Sequence, residues 1–152
     1  MQYSQEAREL LCRAADKARN LGHSYVGSIH LLMALTAQRG FAGYLLTSFG
    51  IHQEMTAHMA VILYGSGTPG LQLHQGFTKQ ASIILRGAAM EAKHSNSPVV
   101  EPVHIFLSLL RRDRAAAADL IRVYGVDPLG YPYTLERLTC CKYAFGKHSL
   151  CR

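Results

Sequence analysis

The chain has 152 residues, 16 Lys and Arg against 10 Asp and Glu, and a formal charge of +6, which suits one domain with a sizeable core or two small ones. Hydrophobic residues make up 49% and charged residues 17%, too apolar for a disordered tail. The longest apolar runs, Met59–Tyr64 and Ile105–Leu110, fall far short of the ~18 residues of a membrane-spanning helix.

Glu6, Glu9 and Asp16 leave no basic start and apolar middle for a secretory leader. Of the four cysteines, Cys140, Cys141 and Cys151 crowd the end of the chain and only Cys12 lies elsewhere, which is not how a disulfide framework is spread. A cytoplasmic globular protein is therefore expected. The positive charge is dispersed, without a block of five Lys or Arg, and reads as a solvated surface.

In chain order, Ser4 predicts a helix N-cap. Ala7, Leu10, Leu11, Ala14, Ala18 and Leu21 then fall on one face at helical spacing. Gly22 stops this helix in the left-handed conformation. After the loop at residues 23–27, Ser28 predicts a second N-cap and Ile29–Gln38 a second helix. Gly40 breaks it, Ala42–Phe49 forms a third closed by Gly50, and residues 51–64 form a fourth with Met55, Met59, Ile62 and Leu63 on its apolar face. Gly65–Gly70 is a linker whose glycines and proline forbid a helix.

The chain then repeats itself at an offset of about 74 residues. Tyr3–Ala7 aligns with Phe77–Ala81, Leu11 with Leu85, Ala18 with Ala92, Val26 with Val100, His30 with His104 and Leu35 with Leu109. After one inserted residue, Phe49-Gly50-Ile51 matches Tyr124-Gly125-Val126. In this second copy Thr78 caps a helix through Lys93, and Asn96 stands in for Gly22. Glu101-Pro102 opens the next helix, with proline at the first helical position, and Ala115–Tyr124 is the third. No strand-like alternation persists. The expectation is an all-α fold of two repeats, 1–64 and 77–128, joined by a Gly/Pro linker at 65–76 and followed by a C-terminal extension at 129–152.

Catalytic chemistry finds little to use. Eight histidines occur, but only His30 and His104 hold equivalent positions. No carboxylate or cysteine accompanies either at ligand spacing, so each imidazole is expected to bond the loop before it and lock the helix entry. The zinc-protease HExxH motif is absent, and Gly65–Gly70 lacks the lysine and hydroxyl of a phosphate-binding loop. Cys140, Cys141, His148 and Cys151 offer four soft donors in a spacing that fits no standard zinc finger. Neither catalytic residues, nor a cofactor, nor a metal are expected.

The repeat, the Gly-His-x-Tyr-Val-Gly-x-x-His-Leu-Leu run at residues 22–32 and the copy Val99–Phe106 resemble the Clp N-terminal domain. That domain is the amino-terminal module of Hsp100/Clp ATP-dependent unfoldases of the ClpC type. The resemblance covers residues 1 to about 128 and implies about eight helices, as two four-helix repeats related by a pseudo-twofold axis. It implies binding of substrate proteins or adaptors for delivery to a Clp ATPase ring, in cis or in trans, with no role for a membrane. Relatives of the ClpC type carry an acid just before each motif histidine, and in some members those acids pair with the guanidinium of phosphoarginine. Here the positions are Ile29 and Val103, so phosphoarginine is not expected to be read there. The chain holds no ATPase cassette, so it is expected to be either the front of a longer unfoldase or a free-standing homologue. Tyr131–Arg152 is not a charged linker of the kind expected before an ATPase ring, which leans slightly toward a stand-alone protein or one with an unusual connection.

Phe41, Tyr44, Leu71, Leu73 and Phe77 are the candidate protein-binding residues, with burial in the core as the alternative for each. Ser4, Thr78, Gly22, His30 and His104 are the structural residues of the repeat. A second reading, a small nucleic-acid-binding protein, has Arg111, Arg112, Arg114 and Arg122 as its footprint. A third is an enzyme built on the terminal Cys/His group.

Overall fold

A computed structural model of the chain describes residues 1–68, 76–112 and 115–124. These residues form seven helices and no strand: α1 (Gln5–Asn20), α2 (Ser28–Ala37), α3 (Phe41–Ser48), α4 (Gln53–Tyr64), α5 (Lys79–His94), α6 (Pro102–Leu110) and α7 (Ala116–Val123). α1, α2 and α3 are matched in order by α5, α6 and α7. The counterpart of α4 would follow residue 124 and lies outside the described residues, as does the C-terminal extension.

Punctuation at the helix ends is local chemistry. Ser4 accepts from the Ala7 amide at 3.1 Å and Thr78 from the Ala81 amide at 3.2 Å, each satisfying one amide that the first helical turn leaves without a partner. Gly22 takes φ +72°, and Asn96, at the equivalent place, takes φ 54° as the one non-glycine residue with positive φ among those described.

Apolar burial sets the layers. α2 is buried from Ser28 to Leu35, and α6 is buried along its whole length. A helix that is apolar all round belongs at the centre. α1 packs on α2 and α5 on α6, while α2 also meets α3, α4, α5, α6 and α7. Leu31, Leu32, Leu35, Ile105, Phe106 and Leu109 are among the largest fully buried side chains, each stabilising the fold by about 1.5–3 kcal/mol relative to exposure.

The repeats interlock reciprocally through their loops. Before α1, the Ser4 amide donates to the Val100 carbonyl at 2.9 Å and the Val100 amide to the Gln2 carbonyl at 2.8 Å. Before α5, the Thr78 amide donates to the Val26 carbonyl at 3.0 Å and the Val26 amide to the Gly76 carbonyl at 2.9 Å. Two short parallel pairings result, Tyr3 with Val100 and Val26 with Phe77. Residue for residue, the second is the first with the repeats exchanged, the pattern of an isologous twofold contact inside one chain.

Two expectations are corrected. Ser28 is not an N-cap: Gly27 holds that position and Ser28 is the first helical residue. The capping role passes to His30, whose ring reaches back to the Gly27 amide. On α4, Ile62 is 62% exposed and Leu63 is exposed too. Thr56 and Ala60 are the buried residues there, with Met55 and Met59 partly covered, because α4 overhangs the core and its last turn leaves it.

Candidate functional site

The motif histidines organise the two helix entries. In the second repeat, the Glu101 amide donates to His104 Nδ1 at 2.9 Å. A backbone N–H only donates, so the ring proton sits on Nε2 and points to Ser95 Oγ, 3.0 Å away. The Ser95 hydroxyl in turn donates to the carbonyls of Glu91 or Ala92 at 3.0 and 3.1 Å. Among the described residues this network reaches the C-terminal turn of α5.

The first repeat starts the same way and ends elsewhere. The Gly27 amide donates to His30 Nδ1 at 2.9 Å. His30 Nε2 then lies 2.8 Å from His23 Nδ1, and His23 Nε2 lies 2.7 Å from the Gly65 carbonyl, 42 residues along. With a donor at one end and an acceptor at the other, all three bonds are made together when each imidazole carries a single proton, on Nε2. Burial, with His23 as a second cause, holds the His30 pKa down at about 4, because an imidazolium there would lose its hydration and face another ring. Tyr64 sets its ring edge-on to His23, with centroids 6.2 Å apart.

These residues wall a cleft of about 730 Å³. The α1–α2 loop forms one side, Tyr64, Ser66 and Gly67 another, and Thr78, Gln80, Ala116 and Asp119 the rest. Gly22 and Gly67 cross beneath it. A Cβ on Gly22 would meet the Gly67 carbonyl carbon at 2.2 Å, and the Gly67 amide donates to the Leu21 carbonyl at 2.9 Å. Only paired glycines allow two backbones this close.

The residues singled out from sequence do not gather at one place. Tyr44 is 71% exposed on α3, while Phe41, one turn earlier, is half-buried and packs against the core. Phe77 is 37% exposed beside Val26, whereas α3 packs on α2 and α6. Leu71 and Leu73 lie outside the described residues, as do Cys140, Cys141, His148 and Cys151. Ile29 is fully buried and Val103 is 6% exposed, and the crevice beside Val103 and Phe41 holds only about 30 Å³. Two of the four arginines are engaged within the chain. Arg111 pairs with the buried Glu91 at 2.9 Å. Arg122 pairs with Asp119 at 3.1 Å and reaches the Arg112 carbonyl at 3.4 Å. Arg114 lies outside the described residues. Among the described residues no group of three or more His, Cys, Asp and Glu comes together to hold a metal, and no helix is long and apolar enough to cross a membrane.

His23 is the residue that sequence reasoning passed over. It sits inside the motif run, but its partner Gly65 belongs to the linker, and no periodicity connects a loop to a linker.

Comparison with known proteins agrees with the repeat. Residues 2–61 and 76–139 match the family described as the Clp repeat (R) N-terminal domain. The chain is 28% identical over 127 residues to the chaperone protein ClpC1, chloroplastic, of Oryza sativa subsp. japonica, and equally to the ATP-dependent Clp protease ATP-binding subunit ClpA homolog, chloroplastic, of Brassica napus. Each alignment covers 83% of this chain and 14% of the relative. Among solved structures, the N-terminal domain of the chaperone ClpD from Arabidopsis thaliana superposes with a TM-score of 0.68 at 17% identity, over 95% of each chain. The Hsp104 N-terminal domain from Candida albicans does so with a TM-score of 0.70 at 15% identity, over 95% of this chain and 92% of that one. At such identities the structures speak for the fold alone. With the duplicated motif and the reciprocal loop pairing, the family match shows that this chain belongs to the Clp repeat N-terminal domain family.

Proposed function

We propose that this domain is a non-catalytic protein-binding module of a Clp system, recognising substrate proteins or adaptors for delivery to an AAA+ unfoldase ring. The observation that carries the reading is an interlocked helical domain of this family with large apolar side chains left at its surface: Tyr44, Phe77 and the last turn of α4, Val61 to Tyr64. Exposed aromatic and aliphatic side chains on a rigid scaffold suit unfolded segments or an adaptor helix. Tyr44 and Phe77 remain the contact residues proposed. Phe41, half-buried against the core, contributes mainly by holding α3.

The chain spans about 14% of the length of the plant relatives, so the ring is to be sought both on the same polypeptide and on another, and the test does not depend on which. Cytoplasmic location belongs to the proposal as well. The named relatives are chloroplastic, and an aqueous compartment is what the two share. Ile29 and Val103 offer a guanidinium no acceptor, and a charge-assisted hydrogen bond worth about 1.5–3 kcal/mol is missing at each. Reading of phosphoarginine is therefore not part of the proposal.

The test is a pull-down from lysate with the purified domain, partners being identified by mass spectrometry at moderate and at high salt. Recovery of a Clp-type ATPase, its peptidase or a discrete adaptor at both salt concentrations, weakened by Tyr44→Ala or Phe77→Ala, is the expected result. Recovery of nucleic acid and ribosomal proteins alone, lost at high salt as phosphate contacts are, would overturn it. The intramolecular pairing of Arg111 and Arg122 argues against that outcome.

A further inference from the structure

The motif histidine is wired differently in the two repeats, and the wiring of the first has a chemical consequence. Its relay holds three hydrogen bonds: Gly27 N–H to His30 Nδ1, His30 Nε2–H to His23 Nδ1, and His23 Nε2–H to the Gly65 carbonyl. Four ring nitrogens share two protons between a fixed donor and a fixed acceptor. A third proton has no place. On His30 it puts Nδ1–H against the Gly27 N–H. On His23 it puts Nδ1–H against His30 Nε2–H, and shifting the His30 tautomer to relieve that clash recreates the first one. No set of tautomers keeps all three bonds once either ring is charged. In the second repeat a hydroxyl, Ser95, occupies the middle of the network and takes up no proton in this range. Its bonds end on α5 itself.

We propose that the His23–His30 relay is a proton-operated clasp. Neutral, it holds the end of α4 and residues 65–67 across the α1–α2 loop; protonated, it lets go and opens the cleft that these segments wall. The clasp is mechanical because of what it fastens. Gly65 follows directly on Tyr64, and two residues later Gly67 lies in backbone contact with Gly22. Among the described residues, the bond from the Gly67 amide to the Leu21 carbonyl also holds the crossing. Among the described residues that line the cleft, no unpaired carboxylate is present to serve an imidazolium. The α1–α2 loop brings Tyr25, α4 brings Tyr64, and α5 brings only the neutral Thr78 and Gln80. Among the described residues, Asp119 of α7 is the one carboxylate lining the cleft, and Arg122 engages it at 3.1 Å.

The direction of the response follows from linkage. Closed, His30 refuses a proton until about pH 4, whereas an opened loop returns the ring to an ordinary value of about 6.5. The closed form is fully favoured above the open-state value and loses that advantage as pH falls towards the closed-state value. Between about pH 7.5 and about pH 5 the opening equilibrium should rise at least tenfold.

Hydrogen exchange read by NMR tests this on the intact chain. Protection of the Gly27 and Gly67 amides, corrected for the intrinsic pH dependence of exchange, should fall at least tenfold over that interval. Ser4 and Val100, in the loop pairing away from the relay, should keep theirs. The ring nitrogen shifts of His30 should report an Nε2–H tautomer at the upper pH and a charged fraction that grows as the protection falls. His30→Gln retains an acceptor for Gly27 and a donor for His23 in a side chain that does not titrate, and should shrink the response. Unchanged protection of Gly67 in the wild-type chain would overturn the proposal. So would a loss spread evenly over Gly67, Ser4 and Val100, since that is global acid unfolding rather than release of a clasp.

Discussion

The two repeats share a plan and differ in where they spend their polar residues. Repeat one ties its histidine through a second imidazole to the linker after α4. It crosses two glycine backbones to let that linker pass. Among the described residues, repeat two bonds its histidine to Ser95 at the end of α5, and it has Asn96 where repeat one has Gly22. It also holds α5 to the end of α6 with the buried Glu91 and Arg111, where the first repeat has Lys17 at the place of Glu91. The lesson is that a duplication preserves the positions which set the fold, while the contacts that distinguish the copies change freely.

The largest effect that would break this comparison is at the glycine crossing. Gly22→Ala places a Cβ on the Gly67 backbone at positive φ, and neither strand of the crossing has a side chain that can yield. Destabilisation of about 3 kcal/mol is expected in urea denaturation. Asn96→Ala, at the equivalent place, should cost only about 1 kcal/mol, the cost of a left-handed alanine. Equal losses would mean that the crossing carries no load.

A smaller effect should appear on the other side of the molecule. A Cβ on Gly87 would meet Ser108 Oγ at 2.2 Å, and that hydroxyl is already committed to the Ile84 carbonyl at 2.7 Å. Gly87→Ala should destabilise by about 2 kcal/mol. Adding Ser108→Ala should recover part of the loss, which a double-mutant cycle measures as coupling of about 1 kcal/mol. Arg13 occupies the equivalent position in the first repeat and is exposed, so Arg13→Ala should leave stability nearly unchanged.

Least of all should the caps differ. Ser4→Ala and Thr78→Ala each remove one bond to a helix N-terminal amide and should each cost about 1 kcal/mol. Chemical denaturation of the pair sharpens the comparison: matched losses mark the caps as part of the shared plan, and a clear inequality would mark one repeat as the more cooperative.

Much of the fold was legible in the residues. Ser4, Thr78, Gly22, Asn96 and Pro102 act through their own backbone geometry or a bond a few residues away, so their meaning travels with the sequence. The Ser28 cap was misplaced by one residue because His30, three positions on, satisfies the Gly27 amide with its ring. Ile62 and Leu63 were assigned to a buried face because amphipathic spacing says which side of a helix is apolar, not how far the core extends beneath it. The contact surface was the least legible part. Tyr44 and Phe77 are exposed and Phe41 is half-buried, yet spacing alone treats all three aromatics alike.

By itself the sequence determined a helical duplication, the ends of its helices and a histidine at each second-helix entry, because caps, breakers and apolar period are local interactions repeated at a constant offset. Only the tertiary structure decided that the loops exchange backbone bonds across the repeats, and that His30 speaks to Gly65 through His23 while His104 bonds Ser95. Those links join residues far apart in the chain, where the partner is chosen by the packing of whole helices and not by any spacing that a sequence can display.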